Sequence, residues 1–186
     1  MMKPMIFVGL AALLIACSGS TPRLDMAHIS SELRLRAAVS TAIIRTVSLP
    51  TYAAAEELSI ETDDGLISAD NGILWADDPA RAVTLALAHH IGDITRAKVG
   101  PDPWPFVGLP DVAVDVRVTR MITGADGMFD FEGQFFVGGD GIDYPSSTNS
   151  FAYQMPVTTA TPAGIAQAQA RALLALSEKI ARKIAR

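Results

Sequence analysis

The only cysteine of the chain lies where a thiol could accept a lipid. Of 186 residues one is cysteine, Cys17, and it follows an apolar run that comes after Lys3. A membrane-spanning helix needs roughly 20 apolar residues, and the run before Cys17 is shorter. A positive start followed by a short apolar run is typical of a secretory signal peptide. Residues 1–16 are therefore predicted to be a signal peptide.

The end of this peptide predicts a lipid anchor. Leu14-Ile15-Ala16-Cys17 has the form of a bacterial lipobox, in which the thiol receives a diacylglycerol and the new amino group is acylated after cleavage. Several acyl chains anchor a protein stably. Ser18 follows, rather than the aspartate that holds such proteins in the inner membrane, so we expect the inner leaflet of the outer membrane. Residues 17–39 would form the lipidated tether and lead-in.

Other residues that could perform chemistry are better explained by local structure. His89 and His90 are adjacent on a predicted helix, diverge by about 100°, and cannot easily share a metal. They are expected to be exposed or half-buried, and His28 has no identifiable partner. Asp63-Asp64 and Asp77-Asp78 lie where a turn and a helix cap already favour aspartate. We therefore predict no catalytic residues, no metal site, and no cofactor beyond the covalent lipid.

Two aromatic segments are candidate partner contacts. Trp75 precedes a helix cap, and Trp104, Pro105 and Phe106 lie in a stiff proline-rich stretch. Rigidly held Trp and Phe suit interface anchors, and they suit equally well plugs at the end of a small core. Both alternatives stay open. A formal net charge of −5 makes nucleic acid a poor partner. The basic C-terminal residues are explained by a solvated helix end, or by an electrostatic contact with an acidic partner or with lipid head groups: Lys179, Arg182, Lys183 and Arg186.

The pattern of apolar residues predicts an α+β domain over residues 40–186. It indicates a strand over 40–49, a hairpin of 57–62 with 66–69, a second turn at 70–72, and a helix from Pro79 to about Lys98. Four prolines make 101–110 an extended crossover. Three strands, near 112–119, 129–137 and 151–157, and a helix from Pro162 follow. The expected fold is an antiparallel or mixed sheet of about four to six strands, covered on one face by two long helices.

Several short motifs, taken in order, resemble the PqiC family, also called ABC-type transport auxiliary lipoproteins. They are the lipobox cysteine, Val47-Ser48-Leu49-Pro50 followed by Tyr52, Leu74-Trp75-Ala76-Asp77 leading into Pro79, and Pro103-Trp104-Pro105. The resemblance covers about residues 40–186. The lead-in lacks the early tyrosine-containing strand that is common in the family.

This resemblance implies a role without catalysis. Such lipoproteins accompany complexes whose MCE-domain proteins carry phospholipid across the periplasm, and they help to maintain the envelope. The implied partners are a periplasmic MCE-domain protein and the outer membrane, with self-association left open. The alternative is a periplasmic lipid- or ligand-binding lipoprotein that acts independently. A cavity lined by the inward Phe and Val residues would favour the alternative, and a filled core with an exposed aromatic patch would favour the transport role.

Overall fold

The computed structural model describes residues 21–185. Within this range the chain forms eight strands and two helices. In chain order they are β1 (Arg23–Leu24), β2 (Thr41–Ile44), β3 (Glu57–Glu61), β4 (Ile67–Trp75), α1 (Pro79–Thr95), β5 (Lys98–Pro101), β6 (Val112–Thr123), β7 (Met128–Gly139), β8 (Ser147–Pro156) and α2 (Pro162–Ile184).

Both helices begin as the sequence predicts. Asp78 and Thr161 cap α1 and α2 by accepting hydrogen bonds, at 2.7 and 3.2 Å, from the backbone N–H three residues further on. A proline follows each cap, where its missing N–H leaves no hydrogen bond unmade. α1 ends at Thr95, earlier than the predicted Lys98, because Arg96 turns the chain through the left-handed region (φ 58°).

β6 is the centre of a split, mixed sheet. On one side it pairs antiparallel with β7, which pairs antiparallel with β8. On its other side the start of β6 pairs parallel with β2, and β2 pairs parallel with β5. The last residue of β6, Thr123, instead pairs with Ile60 of β3, which continues through β4 to β1. Two short groups of strands thus lie at opposite ends of β6.

The predicted sheet of four to six strands is therefore too small. The fold is α+β with two helices, but the described part of the chain has eight strands in a mixed sheet. β1 and β5 were missed; they contain two and four residues and pair only in parallel. Parallel strands are not joined by a tight turn, so no turn motif marks them in the sequence.

Three predicted boundaries also need correction. β2 covers only Thr41–Ile44 of the expected 40–49, after which the chain follows β6 to a single bridge at Ser48. β8 begins at Ser147, four residues before the strand predicted near 151–157. The predicted turn at 70–72 is a register shift within β4, not a break between two strands.

The core between the sheet and the helices is filled. The alternating valines of β6 are buried, as are Phe131 and Phe135 of β7. Leu87 of α1 and Leu176 of α2 face them and are fully buried. The predicted inward stripe of α1 is confirmed in full, with no exposed surface at Val83, Leu87, Ile91 or Ile94.

The lead-in between β1 and β2 runs along the helix pair without regular structure. Hydrogen bonds join Ile29 to His90, Ser31 to Glu178, Leu35 to Ile94 and Ala38 to Ile184. Both helices therefore hold this segment to the domain.

Candidate functional site

The proline-rich crossover, here called the aromatic loop (residues 102–111), is fastened to β2 at both ends. It connects β5 to β6, and β2 lies between those strands, so the loop must pass β2. At its start the N–H of Asp102 donates to the carbonyl of Ile44 at 2.9 Å. At its end the carboxylate of Asp111 accepts from the N–H groups of Ser40 and Thr41 at 2.7 and 3.0 Å. These contacts fix the course of an otherwise irregular segment.

Trp104 packs the aromatic loop against β5. The indole packs against Gly100, where an added Cβ would lie 3.1 Å from a ring carbon of Trp104 and 2.8 Å from Cδ of Pro105. Phe106 meets the indole edge-on, with ring centroids 4.9 Å apart, and the ammonium of Lys98 lies 5.0 Å from the Phe106 ring centre. Trp104 is half-buried and stands outside the main core, so it supports the loop rather than filling the space between sheet and helices.

Beyond Trp104, the aromatic loop and the neighbouring β7–β8 loop expose four apolar side chains, here called the apolar tip (Phe106, Val107, Leu109 and Ile142). Phe106 is 39% exposed, Leu109 74% and Ile142 47%, and Val107 is fully exposed. Ile142 belongs to the β7–β8 loop, whose Asp140 and Gly141 N–H groups donate to the carbonyl of Asp111. The two loops are thus joined at Asp111, and both carry exposed apolar side chains.

The structure separates Trp75 from this surface. Trp75 is the last residue of β4, half-buried, with its carbonyl accepting from Arg23 at 2.8 Å and its N–H donating to Glu56 at 2.7 Å. β4 belongs to the strand group at one end of β6, and the aromatic loop to the group at the other. The candidate residues Trp75 and Trp104 therefore do not form a single surface.

The adjacent histidines diverge as predicted, but one is buried. His89 is exposed and lies 3.4 Å from the carboxylate of Asp93. The ring of His90 contacts the carbonyl of Ile29 through Nε2 at 3.1 Å and Ser177 Oγ through Nδ1 at 3.3 Å. Burial lowers the pKa of His90. Between residues 21 and 185 no group of three His, Cys, Asp or Glu side chains could hold a metal ion.

The paired aspartates have the structural roles expected of them. Asp78 caps α1, and Asp77 forms an ion pair with Arg81. In the β3–β4 turn, Asp64 accepts from Thr62 Oγ1 at 2.5 Å, and this hydrogen bond lowers the pKa of the Asp64 carboxyl. Turn and cap contacts thus account for Asp64, Asp77 and Asp78, and Asp63 is exposed in the same turn.

The predicted lipid attachment residue, Cys17, lies outside the described residues, so the anchor stays a prediction. Neither helix between residues 21 and 185 combines the length and the hydropathy that crossing a membrane would need.

Comparison with known proteins gives the chain a family. Residues 29–181 match the family described as the ABC-type transport auxiliary lipoprotein component. The chain belongs to this family. Membership confirms the resemblance seen in the sequence, and the description of the family indicates a lipoprotein that assists a transporter. No curated protein sequence matched this auxiliary lipoprotein.

Solved structures share the fold of this auxiliary lipoprotein at low identity. The crystal structure of protein XCC0632 from Xanthomonas campestris aligns with a TM-score of 0.71 and 13% identity, covering 87% of this chain and 94% of that one. A crystal structure described as an uncharacterized protein aligns with a TM-score of 0.69 and 18% identity, covering 88% and 99%. These likenesses establish the architecture and say nothing about activity.

Proposed function

We propose that this auxiliary lipoprotein is a non-catalytic component of an MCE-type intermembrane lipid transport system. It would be anchored through Cys17 to the inner leaflet of the outer membrane and would bind a periplasmic MCE-domain protein. Family membership supports the auxiliary role. Structural roles in the described residues are found for Asp64, Asp77, Asp78 and His90, and binding is the function that the exposed surface suits best.

The apolar tip is the observation that carries this proposal. Exposed apolar side chains that lie together mark interaction sites on soluble domains. Here Asp111 fastens the loop to β2, and Trp104 packs beneath Phe106, so the tip is held in place before any partner binds. A preorganised surface loses less conformational entropy on association. Aromatic anchors in such surfaces contribute much of the binding energy.

A lipid tether would strengthen binding of the apolar tip to its partner without enlarging the interface. β1 lies next to the start of the described chain, and it belongs to the group of β1, β4 and β3 at the end of β6. The aromatic loop belongs to the group of β5 and β2 at the start of β6. A domain attached near β1 could therefore present the apolar tip away from its attachment point. Tethering raises the effective concentration of a weakly binding domain, so a modest interface suffices.

The independent lipid-binding alternative finds less support in the apolar cavities beside the core. Two larger surface grooves, of about 400 and 770 Å³, have charged side chains in their lining. The inward Phe and Val residues are packed against the helices, and the cavity beside Phe129 measures about 20 Å³. An apolar cleft of about 240 Å³ lies between the lead-in and the helices, lined by Met26, Leu85 and Leu173 among others. Ligand pockets commonly measure roughly 300–1,000 Å³, so this cleft is small for a phospholipid.

Binding of the full chain to its partner tests the proposal. The lipidated protein in detergent would be titrated with the purified periplasmic part of an MCE-domain protein from the same bacterium. Val107→Asp combined with Leu109→Asp should weaken association by about tenfold or more, because two carboxylates would replace the most exposed apolar side chains of the tip. Leu66→Asp is the matched control, since Leu66 is 65% exposed on the β3–β4 turn.

Two outcomes would count against the proposal. Unchanged binding by the tip variant would remove the tip from the interface. A wild-type chain that ignores the MCE-domain protein but retains a labelled phospholipid would support the independent lipid-binding role instead.

A further inference from the structure

The outer edge of β8 is a long backbone surface without a strand beside it. Among residues 21–185, β8 pairs with β7 only. The N–H of Val157 donates to the carbonyl of Gly127 at the β6–β7 turn. Because backbone groups alternate in direction along a strand, the odd-numbered residues of β8 direct theirs toward β7 and the even-numbered residues direct theirs outward. The ten residues of β8 contain no charged side chain, no bulge, and no proline before the last position. Such features normally protect an edge from pairing.

Two cations confirm where the outward groups point. Lys179 Nζ donates to the carbonyl of Ser150 and Arg171 Nη2 to that of Pro156, each at 2.6 Å. Each carbonyl retains a second lone pair. The outward N–H of Ala152, between them, has no backbone partner within the described residues. A strand laid along this edge would find free donors and acceptors at Thr148, Ala152 and Gln154, and would share the carbonyls of Ser150 and Pro156 with the two cations.

The side of α2 next to this edge is basic. Arg171, Lys179 and Lys183 are spaced by eight and four residues, which places them on one side of the helix. Arg182 adds a fourth cation and is paired with Glu178 at 3.1 Å. We call these four cations the basic stripe. Part of the stripe borders a groove of about 220 Å³ with β7 and β8, lined by Phe135, Asn149, Lys179, Arg182 and Lys183.

Charge decides which strand would fit. Odd-numbered β8 side chains face α2, as the hydrogen bond from Tyr153 Oη to the carbonyl of Ala175 at 3.2 Å shows. Alternate side chains of an added strand would lie on the same face and meet the basic stripe. A second copy paired by a two-fold axis would bring its own basic stripe against this one, and like charges would repel. Carboxylates on the added strand would be attracted instead.

We propose that the β8 edge and the basic stripe bind an extended acidic segment of another protein as an added strand. Backbone hydrogen bonds to β8 would supply affinity, and carboxylates facing Arg171, Lys179, Arg182 and Lys183 would supply selectivity. The site does not include the apolar tip, and it stands whether or not the transport role holds.

Binding of a designed peptide tests this site. The probe is an acetylated and amidated peptide of alternating glutamate and valine, as long as β8, titrated into the full chain in detergent. We expect saturable binding that weakens in high salt, because carboxylate–cation attraction is screened. Hydrogen exchange at the amide of Ala152 should slow when the peptide binds. Ala152→Pro should weaken binding about tenfold or more, since it removes an outward donor and blocks the edge.

Matched variants separate backbone pairing from charge. Ala152→Val keeps the N–H and should bind as the wild type does. Lys179→Glu should weaken binding without touching the β7–β8 ladder, and it keeps the test decisive if Ala152→Pro fails to fold. A lysine–valine peptide should not bind. Equal binding by the Pro and Val variants, equal binding of both peptides, or an edge-dependent dimer of the chain would each overturn the proposal.

Discussion

Trp104 and Phe106 are neighbours in one loop but differ in burial. Trp104 packs on Gly100 beneath the loop, and Phe106 covers it while remaining 39% exposed. Trp104→Ala should lower the free energy of unfolding by about 2 kcal/mol, because a half-buried indole is lost. Phe106→Ala should lower it by under about 1 kcal/mol. Both should weaken partner binding. Thermal melts measure the loss of stability in each variant. A Trp104→Ala protein that melts like the wild type would contradict the structural role of Trp104.

His90 predicts a pH dependence of stability. Its pKa is lowered by burial, so the unfolded chain, in which the ring titrates near its ordinary value of 6.5, binds more protons than the folded chain does in the acidic range. The free energy of unfolding should therefore decrease as the pH falls through about 6.5, and the decrease should end once the folded ring is also protonated.

Denaturant melts at several pH values measure this effect. His90→Gln should flatten the decline between about pH 7.5 and 5, because the titrating ring is removed. His89→Gln, an exposed neighbour on the same helix, is the matched control. A slope that persists unchanged in His90→Gln would assign the dependence to other groups.

At the scale of elements, the β6–β7 register is the most testable feature. Val116 is fully buried, and Asp115 lies on the opposite face, where it pairs with Arg117 at 3.1 Å. Val116→Ala should lower the free energy of unfolding by about 2–4 kcal/mol. Asp115→Ala should cost under about 0.5 kcal/mol, since exposed ion pairs contribute little. Similar losses in the two melts would mean a register shifted by one residue.

Close packing at Gly133 links three strands. A Cβ at Gly133 of β7 would lie 2.2 Å from the carbonyl oxygen of Arg117 and 2.9 Å from the ring of Phe151. Because one of these neighbours is backbone, Gly133→Ala should destabilise the protein by about 1–3 kcal/mol. Gly138→Ala on the same strand is the control, where a Cβ would meet the movable Ser146 hydroxyl at 3.2 Å. Equal chemical-denaturation midpoints would contradict the tight contact.

At the scale of the whole molecule, the predicted lipid anchor determines which membrane holds the protein, and the fold determines which surfaces a partner can reach. Cys17→Ala should prevent acylation, because the chain has no other cysteine. Metabolic labelling with palmitate followed by membrane fractionation measures this, and the variant should be absent from the outer membrane. Normal labelling of Cys17→Ala would contradict the lipid anchor. The unchanged fold should still bind the proposed MCE-domain partner in solution, although more weakly without tethering.

The sequence by itself determined the features that depend on neighbours along the chain. The buried stripe of α1 and the alternation of β6 and β7 follow from repeats of three to four or of two residues. The caps at Asp78 and Thr161 follow from side-chain oxygens that accept from the N–H three residues later. Family membership could likewise be predicted from short motifs in a fixed order. Local hydrogen bonds and one-sided burial produce these patterns, so they are visible without the fold.

Only the tertiary structure decided which distant segments meet. Three features depend on contacts between residues far apart in the chain. They are the parallel pairing of β1 and β5, the separation of Trp75 from Trp104, and the burial of His90 under the lead-in. The same is true of the β8 edge beside the basic stripe. Such contacts leave no local period in the sequence, because each is set by the packing of the whole sheet and helix layer.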